Sequence, residues 1–303
     1  MVVAPSGEQV EIALGDQRAV LVGVGGGLRS YAIAGSDVID GYGIGEMSTS
    51  GRGQVLIPWP NRLQAGSYEF GGRSHQLALD EPSAGNAIHG LVRWADWTVA
   101  EREANRVVVV HTLHPRPGYP FALELSIEYT LSQGGLQVRT TATNVGMDPC
   151  PFGSGAHPYL TFGTGSVDSV LLQVPARTVL HSDERGIPTG SGAVGGTEYD
   201  FTQPRAIGAT KLDTAFTDLE RDQDGLARVE LRHPDHDGGL ALWVDERYSY
   251  LMLYTGDDRP DVNRRSLAVE PMTCPPNAFR SGDDLIVLEP GGSFQGVWGI
   301  GPL

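Results

Sequence analysis

Cysteine is nearly absent from this chain: 303 residues carry two, Cys150 and Cys274. Two thiols without metal-type pairing exclude a disulfide framework and point to a reducing compartment, the cytoplasm. Basic residues are also scarce, 22 Lys plus Arg against 37 Asp plus Glu, a formal charge of -15. A net anion repels phosphate backbones and anionic lipid, so neither nucleic acid nor a membrane surface is the expected partner. It also leans against a strongly anionic substrate, unless a local basic pocket overrides the global field. No run of 18 apolar residues is present, which leaves no membrane-spanning helix. Met1 to Asp16 lacks the basic and apolar regions of a signal peptide. Helical periodicity is missing as well: no stretch repeats apolar residues convincingly at i, i+3, i+4 and i+7.

Alternation with period two is what the chain has instead. From Phe121 to Leu131 every odd position is bulky and apolar, the signature of a half-buried antiparallel strand. Leu136–Thr143 alternates again after Ser132-Gln133-Gly134-Gly135, predicting a hairpin. Further strands are predicted at Val10–Leu14, Ala19–Val24, Gln54–Ile57, Val107–Leu113, Val170–Val174, Arg228–Arg232, Leu240–Asp245, Tyr250–Tyr254, Leu267–Glu270, Leu285–Leu288 and Phe294–Ile300. Gly at 41 and Pro at 20 supply the reversals between them. Many strands and almost no helix mean sheet packed on sheet. No linker, composition shift or repeat divides the chain, so residues 1–303 are expected to form one large all-β antiparallel sandwich. Gly41–Gly53 and Thr189–Gly208 read as long loops on that scaffold.

Polar and ionisable residues sit in apolar or Gly/Pro-rich settings at five places: Asn61-Arg62, His89-Gly90, His157-Pro158-Tyr159, Lys211-Leu212-Asp213 and Glu270-Pro271. Each has a structural alternative. A histidine beside glycine is commonly a hydrogen-bonded structural residue, Asp213 fits a loop-forming role, and Arg62 fits a surface ion pair. Pro158 holds His157 extended, and Pro271 is expected to end the strand that carries Glu270.

In combination and in this order, the five segments resemble the aldose 1-epimerases, also called galactose mutarotases. The likeness runs from about residue 54 to the C-terminus, and Glu270-Pro271-Met272-Thr273-Cys274-Pro275-Pro276-Asn277-Ala278-Phe279 is its most specific piece. The resemblance implies that family's large antiparallel sandwich and a reaction without cofactor or metal. It implies Glu270 as general base and His157 as general acid, with Arg62, His89 and Asp213 holding sugar hydroxyls. The substrate would be a monosaccharide, and the protein a monomer or homodimer. Anomer exchange needs a proton taken from the C1 hydroxyl and one given to the ring oxygen, which a carboxylate and an imidazolium supply. Mutual attraction would favour the charged form of both.

Asn61, Tyr159 and Phe279 complete the expected substrate contacts, Tyr159 and Phe279 as apolar platforms; Trp94 and Trp97 read instead as core anchors. Leu91-Val92-Arg93-Trp94 replaces the fuller Gly-rich stretch common after the first histidine. Met272 and Cys274 differ from residues common in galactose-specific members, and Cys274, with no base nearby, reads as a packing residue. A hexose 6-phosphate is the alternative substrate if Arg62, Arg73, Arg93 and Arg280 gather around a phosphate. A non-catalytic sugar-binding sandwich, and a glycoside hydrolase using Asp213 and Glu270, are the other readings. His233-Pro234-Asp235-His236-Asp237 has metal-ligand residue types but better turn chemistry. Val22-Gly23-Val24-Gly25-Gly26-Gly27 reads as a tight reversal, since no helix follows as a dinucleotide loop requires.

Overall fold

The computed structural model describes residues 3–163, 165–233 and 238–303. Two large antiparallel sheets dominate it. In the nine-stranded sheet the order is Thr98–Arg102, Arg106–Leu113, Leu123–Ser132, Gly135–Asn144, Ser293–Pro302, Gly239–Val244, Ala227–Arg232, Leu171–Gln173 and Arg205–Ala206. In the eight-stranded sheet it is Pro188–Ala193, Ala176–Ser182, Asp213–Leu219, Tyr250–Tyr254, Leu267–Met272, Gly155–Ala156 and Val55–Leu56, with Tyr159–Leu160 also paired to Leu267–Met272. A four-stranded sheet over Gln9–Asp37 adds Val10, Ile12, Leu21 and Tyr31 to the shared core. Among the described residues the only helix is the single turn Ala278–Ser281.

Alternation decides which way each strand faces. Leu123, Leu125, Ile127, Tyr129 and Leu131 enter the core, and the intervening polar residues face outward. Leu131 pairs with Leu136 and Ser132 with Gly135, closing the predicted hairpin tightly. Gly135 has φ +109°, and a Cβ there would lie 2.2 Å from the Ile300 carbonyl oxygen, so only glycine fits. In the eight-stranded sheet both faces are covered. Leu267 and Val269 face the shared core, whereas Ala268 and Met272 pack in separate small clusters on the opposite face. Glu270 has the parity of that opposite face.

Three local expectations change. Pro271 does not end its strand, which continues to Met272 with Pro271 registered opposite Leu251. The Thr189–Gly208 region contains the strand Pro188–Ala193 rather than loop throughout. Its exposed Gly/Ser/Thr composition hid it, because it is held by pairing to Ala176–Ser182 and not by apolar burial. The strand Asp213–Leu219 was also not apparent in the sequence. The expected Gly41–Gly53 loop holds no strand. The turn at His233-Pro234-Asp235-His236-Asp237 lies, apart from His233, outside the described residues.

Candidate active site

Cross-strand register brings the two most distant candidates together. Gly155 is opposite Met272 and Tyr159 opposite Ala268, so His157 falls beside Glu270. Their side chains meet, with His157 Nε2 3.3 Å from Glu270 Oε1. Both are deeply buried, 4% and 2% exposed. They line the floor of a cavity of about 230 Å³ on the outer face of the eight-stranded sheet, together with Asn61, Arg62, His89 and Asp213. That volume lies just below the ~300–1,000 Å³ usual for drug-sized ligands, a scale that suits one small molecule.

Each wall has a local cause. The strand Arg62–Gln64 pairs with Asn86–Ile88, and the chain enters the first through left-handed Asn61 at φ +55° and leaves the second through left-handed His89 at φ +62°. Asparagine and histidine tolerate that region better than most side chains. The two are locked to each other: the His89 N–H donates to the Asn61 carbonyl (2.9 Å), and the Asn61 N–H donates to His89 Nδ1 (3.2 Å). Asn61 Oδ1 accepts from the Arg62 N–H at 2.8 Å, which fixes the carboxamide beside the cavity. Arg62 Nε donates to both Glu81 oxygens (3.2 and 3.1 Å), and its Nη1 is 3.4 Å from Asp213 Oδ2. Gly186 leaves room for that guanidinium, since a Cβ there would fall 2.2 Å from Arg62 Nη1.

The catalytic candidates are equally constrained. Tyr159 stacks on the His157 ring with centroids 5.0 Å apart and planes 14° apart, and its hydroxyl donates to the Ser50 carbonyl at 2.7 Å. Gly51 covers the imidazole from the loop, where a Cβ would lie 2.5 Å from His157 Cδ2. Asp261 anchors that loop by accepting from Thr49 Oγ1 (2.5 Å) and Ser50 Oγ (3.0 Å).

Burial sets the protonation of the floor. It pushes the Glu270 carboxyl well above its usual range, with nearby Asp213 adding to the effect, and it pulls the His157 imidazole down. Desolvation therefore outweighs the mutual attraction expected from the sequence, and the free pocket favours the uncharged pair with one proton held between the two residues. Burial, then the neighbouring His157, also keeps His89 neutral.

Donor atoms of His89, His157 and Glu270 lie within 4.8 Å of one another, close enough to surround a cation. The tautomer of His89 opposes that use. Its Nδ1 accepts from Asn61, which puts its proton on Nε2. A ligating imidazole shows the metal a bare nitrogen and donates through the other one.

Two platform assignments fail. Phe279 is 3% exposed and packs against Trp59, Tyr68 and Tyr119, so it belongs to the core. Tyr159 is a brace behind His157 and does not line the cavity. Trp97 is a core residue as expected, but Trp94 is 48% exposed at the cavity mouth with the Arg93 guanidinium over its ring. Its place in a turn before the Thr98–Arg102 strand distinguishes it from Trp97, three residues later. Of the four arginines considered for a phosphate, Arg62 and Arg93 line the cavity. Arg280 instead donates to Ser67 Oγ at 2.8 Å, and Arg73 lies exposed on the hairpin that carries Ser67. Sequence reasoning overlooked Arg259 and Gln54, which also line the cavity. Cys274 is buried, and burial pushes its thiol up to about 12, consistent with packing.

Known proteins extend the picture. The uncharacterized protein YihR of Escherichia coli K12 is 39% identical over 287 residues, covering 94% of this chain and 90% of its own. A maltose epimerase of Levilactobacillus brevis is 27% identical over 73% of this chain and 71% of its own. The fold matches a galactose mutarotase-like protein from Clostridium acetobutylicum with TM-score 0.85 at 19% identity, covering 97% and 95% of the two chains. It also matches galactose 1-epimerase from Lactobacillus acidophilus with TM-score 0.80 at 22% identity, covering 97% and 94%. The aldose 1-epimerase family model aligns with residues 8–300. This chain is a member of the aldose 1-epimerase family.

Proposed function

We propose that this protein interconverts the α and β anomers of a free aldohexose such as glucose or galactose. The observation that carries the reading is the buried His157–Glu270 contact of 3.3 Å on the floor of a sugar-sized cavity. Glu270 takes the proton of the C1 hydroxyl while His157 gives one to the ring oxygen, and the ring opens to the aldehyde. Rotation about C1–C2 and closure on the opposite face return both protons. Because the pair holds one proton in either form, the reactive carboxylate–imidazolium arrangement needs no proton from solvent. It is reached by a shift along the existing contact as sugar hydroxyls replace lost hydration. Arg62, His89 through its Nε2–H, and Asp213 offer polar contacts to the hydroxyls, and Trp94 offers an apolar face at the mouth.

Polarimetry or NMR of freshly dissolved α-glucose and α-galactose tests the reading. Equilibration should be accelerated by the protein and not by folded Glu270→Gln or His157→Asn variants. Unchanged rates in those variants would remove the assignment.

A hexose 6-phosphate is a second reading, favoured by Arg93 and Arg259 on the cavity wall. Faster turnover of glucose 6-phosphate than of glucose in the same assay would select it.

A further inference from the structure

We infer that Gln54 is a further substrate-binding residue, its carboxamide reading a sugar hydroxyl next to the reacting centre; this rests on the sugar reading above. Among the described residues, three buried side-chain polar atoms without a hydrogen-bond partner belong to residues lining this one cavity: Gln54 Oε1, His157 Nδ1 and Glu270 Oε2. An unpaired buried acceptor is costly, so folded proteins retain one mainly where something else uses it. For Glu270 Oε2 the proposed chemistry supplies a use, as the carboxylate oxygen that takes the C1 hydroxyl proton. The same logic extends to Gln54 Oε1.

Gln54 is fixed where such a contact is needed. Its N–H donates to the Gly51 carbonyl (2.9 Å), and its own carbonyl accepts from the His157 N–H (3.1 Å). It is therefore backbone-locked to the proposed acid and to the glycine covering that acid. The side chain is 5% exposed and shares its wall with Ser48, Arg93 and Trp94. A carboxamide can accept from one hydroxyl and donate to its neighbour without adding charge beside Glu270. That is the chemistry of vicinal hydroxyl recognition. The competing occupant is water: a pocket of about 10 Å³ on the other side of Gln54 has room for one molecule at most.

The test compares wild type with Gln54→Ala on glucose and on its 2-, 3-, 4- and 6-deoxy analogues, following anomer equilibration by NMR. For glucose, kcat/KM should fall roughly tenfold in the variant. One deoxy analogue should be poor for wild type yet handled equally by both proteins, identifying the hydroxyl that Gln54 reads. A fall of equal size for every sugar, or no fall, would overturn the inference in favour of a structural or water-bound carboxamide. If Gln54→Ala fails to fold, Gln54→Met keeps the side-chain length and serves in the same comparison. If wild type accelerates no sugar, the functional reading fails by itself. Calorimetric binding of the same analogues then decides on Gln54, with absence of the analogue-specific pattern counting against it.

Discussion

Replacing Glu270 by glutamine should stabilise the protein, and by an amount that depends on pH. Unfolded, Glu270 titrates near ~4.3. Folded, burial holds its carboxyl well above that range. A group with a raised folded pKa contributes its full stability below the unfolded value and loses it as pH rises toward the folded one. Below pH ~4.3 both states are protonated and no penalty arises. Above it the unfolded state ionises while the folded state stays protonated, and folding weakens by about 1.4 kcal/mol per pH unit. At pH 7 this amounts to at most ~3.7 kcal/mol, which glutamine escapes because it never ionises. Loss or weakening of the 3.3 Å contact with His157 returns about 1 kcal/mol of that, leaving a gain of roughly 2–3 kcal/mol. Midpoints of large domains move by about 2 °C or more per kcal/mol, so Tm should rise about 4–6 °C at pH 7 and hardly at all at pH 4. Thermal denaturation of both proteins at pH 4, 5.5 and 7 measures the effect. A Tm difference that is constant across pH, or a loss of stability at pH 7, would refute the assignment of Glu270 as a strongly desolvated carboxyl.

The same protonation argument sets the pH–rate profile. His157, drawn down to about 3 by burial, gains its second-proton form only in acid, so kcat should show no acid limb in the ordinary imidazole range; an acid limb near 6.5 would contradict it. Gly51→Ala, which sets a methyl 2.5 Å from His157 Cδ2 at φ +78°, should lower kcat roughly 100-fold by displacing the imidazole, measured by single-turnover anomerisation. Trp94→Ala should raise KM roughly tenfold with kcat little changed if the exposed ring is the sugar platform, a split read from steady-state kinetics. Phe279→Ala should cost about 3–5 kcal/mol in denaturant unfolding yet leave kcat/KM intact below the transition, the opposite of what a sugar contact would give.

The sandwich was legible because its strands alternate. Leu123–Ser132 and Gly135–Asn144 declared their faces and their hairpin residue by residue. Asp213–Leu219 did not: Ala215 and Phe216 are consecutive and both buried, one on each side of the sheet, which erases the period. The pairing of His157 with Glu270 was suggested by family resemblance and by chemistry, but no local signal spans the 112 residues between them; the register of one strand on another supplies the contact. Phe279 and Trp94 were exchanged in role because hydropathy ranks aromatics without saying which face of the chain they leave from. Gln54 carried no sequence signal at all. A glutamine at the start of a strand becomes informative only when its carboxamide is found buried and unpaired.

The Leu267–Met272 strand serves two masters on alternate residues. Odd positions answer to the interior of the sandwich, and on the even side Glu270 faces the cavity, so neither side can be tuned by moving the backbone without disturbing the other. The cavity can be varied without touching that strand at residues that line it from other segments, such as Ser48, Ser50, Asp80 and Trp94. A deletion of one residue ahead of Glu270 would be fatal twice over, sending a carboxylate into oil and a proline to the cavity floor.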